Sequence, residues 1–454
     1  MAHQIEPGRV ASIMLSWHSL ELISCRKIQT LWAGYGSICE VRARATTAAA
    51  AAEVRRLCRM DSSGDAKAAG GDNTFTLILK LVAPPPGGPR RHQGNGEEDG
   101  DEGHLRKMLS YEVEQHFYDA LAPRLDPDRA AVARCLASTR GAAGKPRAGE
   151  LLDGGRMIAT LMTDLRSDFP VAAGERRRAR LGARQVHAAL DWLAAFHGAS
   201  RAWVREEESR GGLVRPPLEE ARRRRRGERG AGAWLNGGYT YLATRREEYA
   251  ALAADADSEW SAALCEPMGS SPDAPSVAER VAEFLAPRLG GGVDGGSSRD
   301  REREPYVSYI HGDVKSENLF ATAAGDRVAF FDFQYVGLGL GVCDLAKLFT
   351  CSVPLGLLLA GCDDARNVPE ELRMDCGERA LLEYYRGRLL ELGHFGADGS
   401  GYDWDLFVRH WEAALVDWLR FQMSWGAWGN TEWLEARVRS ILRGEGFRKW
   451  LLES

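Results

Sequence analysis

His311-Gly312-Asp313-Val314-Lys315-Ser316-Glu317-Asn318, followed downstream by Val328-Ala329-Phe330-Phe331-Asp332-Phe333-Gln334, decides how the rest of the chain is read. Two short apolar segments, Tyr306–Ile310 and Val328–Phe331, flank the first stretch and read as strands. They enclose a carboxylate and a carboxamide, and a second carboxylate closes the second strand. A carboxylate on a rigid loop accepts a hydroxyl proton, so Asp313 is the candidate base. Asn318 and Asp332 are hard oxygen donors of the kind Mg²⁺ prefers, and they are the candidate metal ligands.

Working outward, residues 31–45 alternate like a strand after the Gly34-Tyr35-Gly36 turn, and Thr74–Val82 is a second strand with one internal lysine, Lys80. A lysine inside an apolar strand is costly unless paired. His104–Leu121 has helical periodicity. Met157–Leu165 is a further apolar strand, and Val186–His197 is an amphipathic helix. Everything after Leu345 reads as helical and is rich in tryptophan. Low-complexity inserts are expected near 45–73 and 84–103, and an irregular insert near 201–305.

The combination His-Gly-Asp-x-x-x-x-Asn and Phe-Phe-Asp-Phe-Gln resembles the catalytic core of the kinase-like superfamily. Within it the match is to the aminoglycoside phosphotransferase, choline kinase and ecdysteroid-kinase-like branch. Gly237–Glu248 and Asp417–Gly429 also resemble segments of that group. The resemblance implies an α+β, two-lobed protein-kinase-like fold. A small antiparallel-sheet N-lobe would cover 1–164 and a larger, mainly helical C-lobe 165–454. It implies ATP and Mg²⁺ as cofactors and a small-molecule acceptor whose hydroxyl is phosphorylated. Lys80 would bind the phosphates and pair with a helix glutamate, Glu114 with Glu112 as its competitor. Gly34 and Gly36 would let the backbone approach the triphosphate. Met162 to Leu165, Asp164 included, would be the hinge that meets adenine. Lys315 either touches the γ-phosphate or points to solvent. Two alternatives stand beside this reading: a choline or ethanolamine kinase proper, and a nucleotide-binding pseudokinase scaffold.

Three departures from protein kinases favour a small acceptor over a protein. The interval from His197 to His311 is long, and inserted helices there build the acceptor site in the small-molecule branch. Asp332 and Asp344 stand too close in sequence for a long activation segment. Gly312 also replaces the arginine that reads activation-loop phosphate. Asp344-Leu345-Ala346 resembles the helix start whose aspartate braces the catalytic loop.

The remaining features read more plainly. Trp404, Trp411, Trp418, Trp425 and Trp428 recur at helical spacing. Core packing is the favoured explanation, and an aromatic box for a quaternary ammonium is the sharper one. Arg222–Arg226 and Arg176–Arg178 lack interleaved aromatics and read as solvated insert, not as a nucleic-acid patch. A net charge of -5 over 454 residues gives no pull toward nucleic acid or an acidic membrane surface. No apolar run approaches a membrane span. Nine scattered cysteines with no Cys-x-x-Cys pair fit reduced thiols, and a cytoplasmic location is expected.

Overall fold

The structure, a computed structural model, describes residues 6–59, 73–83, 102–152, 157–174, 180–204, 206, 212–228, 230, 232–269, 271, 273–287, 303–359, 368–392 and 401–453. The chain divides into two compact units, Met1–Arg124 with Val132–Asp168, and Leu125–Ala131 with Phe169–Ser454. The expectations for Arg176–Arg178 and for most of the 84–103 insert lie outside the described residues.

In the first unit, helix α1 (Pro7–Ser16) leads into β1 (Leu20–Thr30), β2 (Gly36–Ala45), helix α2 (Ala48–Cys58) and β3 (Thr74–Val82). Helix α3 (Glu102–His116), β4 (Cys135–Ser138), helix α4 (Ala148–Leu152) and β5 (Ile158–Thr163) complete it. The strands form an antiparallel sheet in the order β1-β2-β3-β5-β4. Period-two alternation decides the faces of β3. Phe75, Leu77, Leu79 and Leu81 pack with Val10, Ile13 and Met14 of α1. Lys80 shares the opposite face with Val82, where Tyr111 and Met108 of α3 pack. Residues 7–30 carry a helix and a strand that the sequence reading left unassigned. Ala48–Ala52 belongs to α2, so the first half of the 45–73 insert is ordered helix. Thr47 starts it, its side-chain oxygen accepting from the Ala50 amide at 3.1 Å.

The second unit is mainly helical. After the short β6 (Val171–Ala172) comes α5 (Ala183–Arg201). Helix α5 was expected to be amphipathic, yet beside the apolar face of Val186, Ala189, Leu190, Leu193 and Phe196, Ala188, Ala194, Ala195 and Gly198 on the other side are buried as well. Helices α6 (Pro217–Arg225), α7 (Arg246–Ala253), α8 (Glu259–Cys265) and α9 (Val277–Leu285) occupy much of the expected irregular insert. The arginine run thus corrects to helix. Glu220, fully buried in α6, accepts from Arg223 and Arg224 at 3.3 and 3.2 Å and from the Gly230 amide at 2.8 Å. Strands β7 (Val307–Ile310), β8 (Leu319–Ala321), β9 (Val328–Phe330) and β10 (Gly337–Leu340) follow. Helices α10 (Val342–Cys351), α11 (Leu355–Leu358), α12 (Cys376–Glu391), α13 (Trp404–Trp425), α14 (Thr431–Arg443) and α15 (Glu445–Glu453) close the chain. Trp411 and Trp418 lie in the core of this helical layer, as the packing explanation expects. No described helix is long and apolar enough to cross a membrane.

Candidate active site

Within the second unit, β7 pairs antiparallel with β10, and β8 with β9. These pairings place His311–Asn318 beside Phe331–Gln334. The Phe331 amide donates to Asn318 O at 2.9 Å, and His311 Nε2 meets Phe331 O at 3.0 Å. Asp313 N–H donates to His311 Nδ1 at 3.3 Å, so the ring is neutral with its proton on Nε2. Burial pushes the His311 pKa down and favours that neutral form, against the nearby Asp344 and Asp313 charges.

Asp344, at the first turn of α10, braces the loop. Its Oδ2 accepts from the His311 amide at 2.7 Å and its Oδ1 from the Gly312 amide at 2.9 Å. His197 of α5 reaches the same Oδ2 with Nε2 at 3.1 Å, and its Nδ1 meets Tyr385 OH at 2.7 Å. Burial alone would raise the Asp344 carboxyl. The hydrogen bond and electrostatic pull of His197, with the charge of Lys347, outweigh it and hold the pKa below the ordinary aspartate value. Lys347 donates to Gly312 O at 2.7 Å. His197 is therefore a link in this brace.

Gly312 has φ +85°, and a Cβ there would stand 2.3 Å from Tyr335 O and 2.8 Å from Gly238 N. Only glycine lets the two backbones approach this closely. Asp332 takes φ +67°, a left-handed conformation that aspartate tolerates better than most residues. Gln334 Nε2 donates to Asp332 Oδ1 at 2.5 Å, and Trp234 Nε1 donates to Gln334 O at 2.8 Å.

The Asp313 carboxylate receives Lys315 Nζ at 2.8 Å and Asn318 Nδ2 at 3.0 Å on Oδ2. Lys315, for which sequence offered a phosphate or solvent, sits on the candidate base. Desolvation would lower its pKa, but Asp313 and Asp332 raise it above the ordinary lysine value. Asn318 Nδ2 also donates to Asp313 O at 2.9 Å. That leaves Asn318 Oδ1 with no hydrogen bond among the described residues, a hard oxygen suited to Mg²⁺. No group of three or more His, Cys, Asp or Glu gathers as a metal cage among the described residues.

In the first unit, Lys80 Nζ meets Glu114 Oε2 at 2.5 Å, and both side chains are nearly buried. Lys80 does not face water from an edge strand, because β3 lies between β2 and β5. Its Nζ also stands 5.5 Å from the Tyr111 ring centre. Lys80, Glu114, Tyr111, Thr160 and Met162 line a small pocket. Gly34 has φ +74°, and a Cβ on Gly36 would stand 2.0 Å from Leu81 O. The turn thus needs both glycines for backbone reasons. Met162 is paired on both sides, with Ile78 and Cys135. The Asp164 carboxylate is taken by Arg166, whose Nε donates at 2.9 Å while its Nη2 reaches Glu40 at 2.9 Å.

Sequence reasoning missed one residue of the second unit, Arg245. Arg245 lies over the Tyr239 ring, and Arg420 donates to Thr240 O at 2.6 Å and to Asp417 at 2.8 Å. Both are fully buried arginines, and only the fold reveals that.

Solved structures that match the chain include a thermostable mutant of the aminoglycoside phosphotransferase APH(4)-Ia in ternary complex with ADP and hygromycin B. It is 10% identical, covers 97% of this chain and 98% of its own, and has a TM-score of 0.37. A macrolide 2'-phosphotransferase of Brachybacterium faecium is 14% identical, with 95% and 97% covered and a TM-score of 0.38. An ethanolamine kinase of Plasmodium vivax is 10% identical, with 98% and 86% covered and a TM-score of 0.35. No curated protein matches the chain. Among protein families, residues 61–374 match APH, the phosphotransferase enzyme family. That match spans more than half of the sequence, and the chain therefore belongs to the APH phosphotransferase family.

Proposed function

We propose that this protein moves the γ-phosphoryl group of ATP to a hydroxyl of a small molecule, with Asp313 as the base. The observation that carries the reading is the Asp313 carboxylate itself. Lys315 and Asn318 aim it, and the loop that bears it hangs from the buried Asp344. Asp313 orients the acceptor hydroxyl and accepts its proton as the oxygen attacks phosphorus and the bond to ADP breaks. Lys315 Nζ, 2.8 Å from Oδ2, holds that carboxylate in place until the acceptor arrives. Lys80, held by Glu114, would meet the α and β phosphates. Asn318 Oδ1 and the Asp332 carboxylate would hold Mg²⁺. When bound, the ion neutralises charge on the phosphate oxygens. The hinge after β5 would receive adenine.

Purified protein with Mg-ATP and a panel of small alcohols, aminoglycosides and sterols tests this by ADP release. Acceptor-stimulated release should fall about a hundredfold to ten-thousandfold in Asp313→Asn while ATP still binds. EDTA should abolish it. ATP binding without turnover on any acceptor would defeat the reading in favour of a scaffold.

A further inference from the structure

The aromatic residues toward the end of α13 do not form an empty box. Tyr239, Phe421 and Trp425 gather around a cation that the chain supplies. The Arg245 guanidinium carbon lies 4.1 Å from the Tyr239 ring centre, 5.0 Å from that of Trp425 and 5.5 Å from that of Phe421. Arg245 is fully buried. Its Nε donates to Tyr239 O at 3.0 Å and its Nη1 to Glu248 at 3.1 Å. Nη2 is buried with no hydrogen-bond partner among the described residues. The guanidinium is thus held chiefly by the rings and one carboxylate.

This cluster adjoins the loop that carries Asp313. Tyr239 N–H donates to Gly312 O at 3.2 Å. The Tyr239 ring meets Tyr335 edge-on at 4.9 Å, and Tyr335 follows Gln334, which donates to Asp332. Trp425 is 49% exposed, so its indole is within reach of a ligand at this wall. Aromatic faces attract cations through the ring quadrupole. Here the cation position is already taken by the Arg245 guanidinium, so a second cation would find these ring faces occupied.

We infer that Arg245 is a specificity-determining residue: it fills the cation position of the aromatic wall beside Asp313, so the enzyme takes alcohols without a permanent positive charge and rejects quaternary ammonium alcohols. The inference rests on Asp313 as the base. Its test is equilibrium binding without nucleotide, so a failure here is distinct from a failure of acceptor-stimulated ADP release.

The full chain, Arg245→Met and Arg245→Lys are titrated with tetramethylammonium while tryptophan fluorescence is read. Wild type and Arg245→Lys should show no saturable quenching. Arg245→Met, which opens the cation position, should bind the ion roughly tenfold more tightly or better. Saturable quenching of wild type overturns the inference, as does an Arg245→Met protein of native near-UV circular dichroism that gains nothing. Should Arg245→Met not fold, the Arg245 Nε–H resonance of wild type decides. It must stay unmoved by tetramethylammonium, and a saturable shift overturns the inference. In turnover, Arg245→Met should raise kcat/KM for choline relative to a neutral alcohol. An unchanged ratio marks a structural role and sinks the proposal.

Discussion

Gly312 sits where the loop bearing Asp313 passes under two other backbone segments, Gly238 and Tyr335. A methyl group there has to displace backbone, and alanine must also adopt φ +85°. Gly312→Ala should therefore cost at least about 1–3 kcal/mol. Acceptor-stimulated turnover should be nearly lost. Urea denaturation and ADP release measure the two effects, and a variant with native stability and native turnover would refute this account. The glycine was legible in the sequence as a departure from the protein-kinase arginine. The steric reason was not, because Gly238 and Tyr335 are remote from Gly312 along the chain. Asp313, Asn318 and Asp332 stood out as candidates because their spacing is set by one loop and one hairpin.

At the scale of elements, β3 and α3 meet through Lys80 and Glu114. A buried pair leaves a bare charge when one partner is removed, which costs about 3–5 kcal/mol, whereas replacing both with apolar groups costs far less. Glu114→Leu should destabilise the first unit by that order, and Lys80→Met with Glu114→Leu together should recover most of the loss. A double-mutant cycle in urea reads the coupling, and purely additive losses would show that the pair is not a unit. Both variants should lose ATP binding. Strand β3 and helix α3 announced themselves through period-two and helical patterns. Helix α1 and strand β1 did not, since β1 is largely exposed and its alternation is weak. The arginine run of α6 looked like disordered insert because its ordering group, the buried Glu220, acts through tertiary contacts as well as its own helix.

Across the whole molecule, buried histidines link stability to pH. Burial holds His410 down to about 3 and His116 to about 4, with neighbouring arginines adding to the effect. These rings are neutral in the native protein, while an unfolded histidine takes a proton near pH ~6.5. The unfolded chain therefore binds more protons below that value. Their contribution is full above pH ~6.5 and is lost as the pH falls toward the native values, at up to about 1.4 kcal/mol per pH unit per histidine. The stability gap between wild type and His410→Gln should narrow as the pH drops from about 7 to about 5. Urea midpoints across that range check it, and a constant gap would contradict the burial argument.

The sequence by itself determined the fold class, the phosphotransferase chemistry and the loop proposed to carry it. Those depend on local patterns: a strand, a loop of fixed length, and an oxygen donor after the next strand. Only the tertiary structure decided that Lys315 rests on Asp313, that His197 and Asp344 suspend the loop from α5 and α10, and that the aromatic wall encloses Arg245. Each of these is a contact between residues whose separation along the chain carries no periodic signal, or a choice among rotamers that the surrounding charges make. A spacing of tryptophans reports a helix face, but what that face encloses depends on which other segment folds against it.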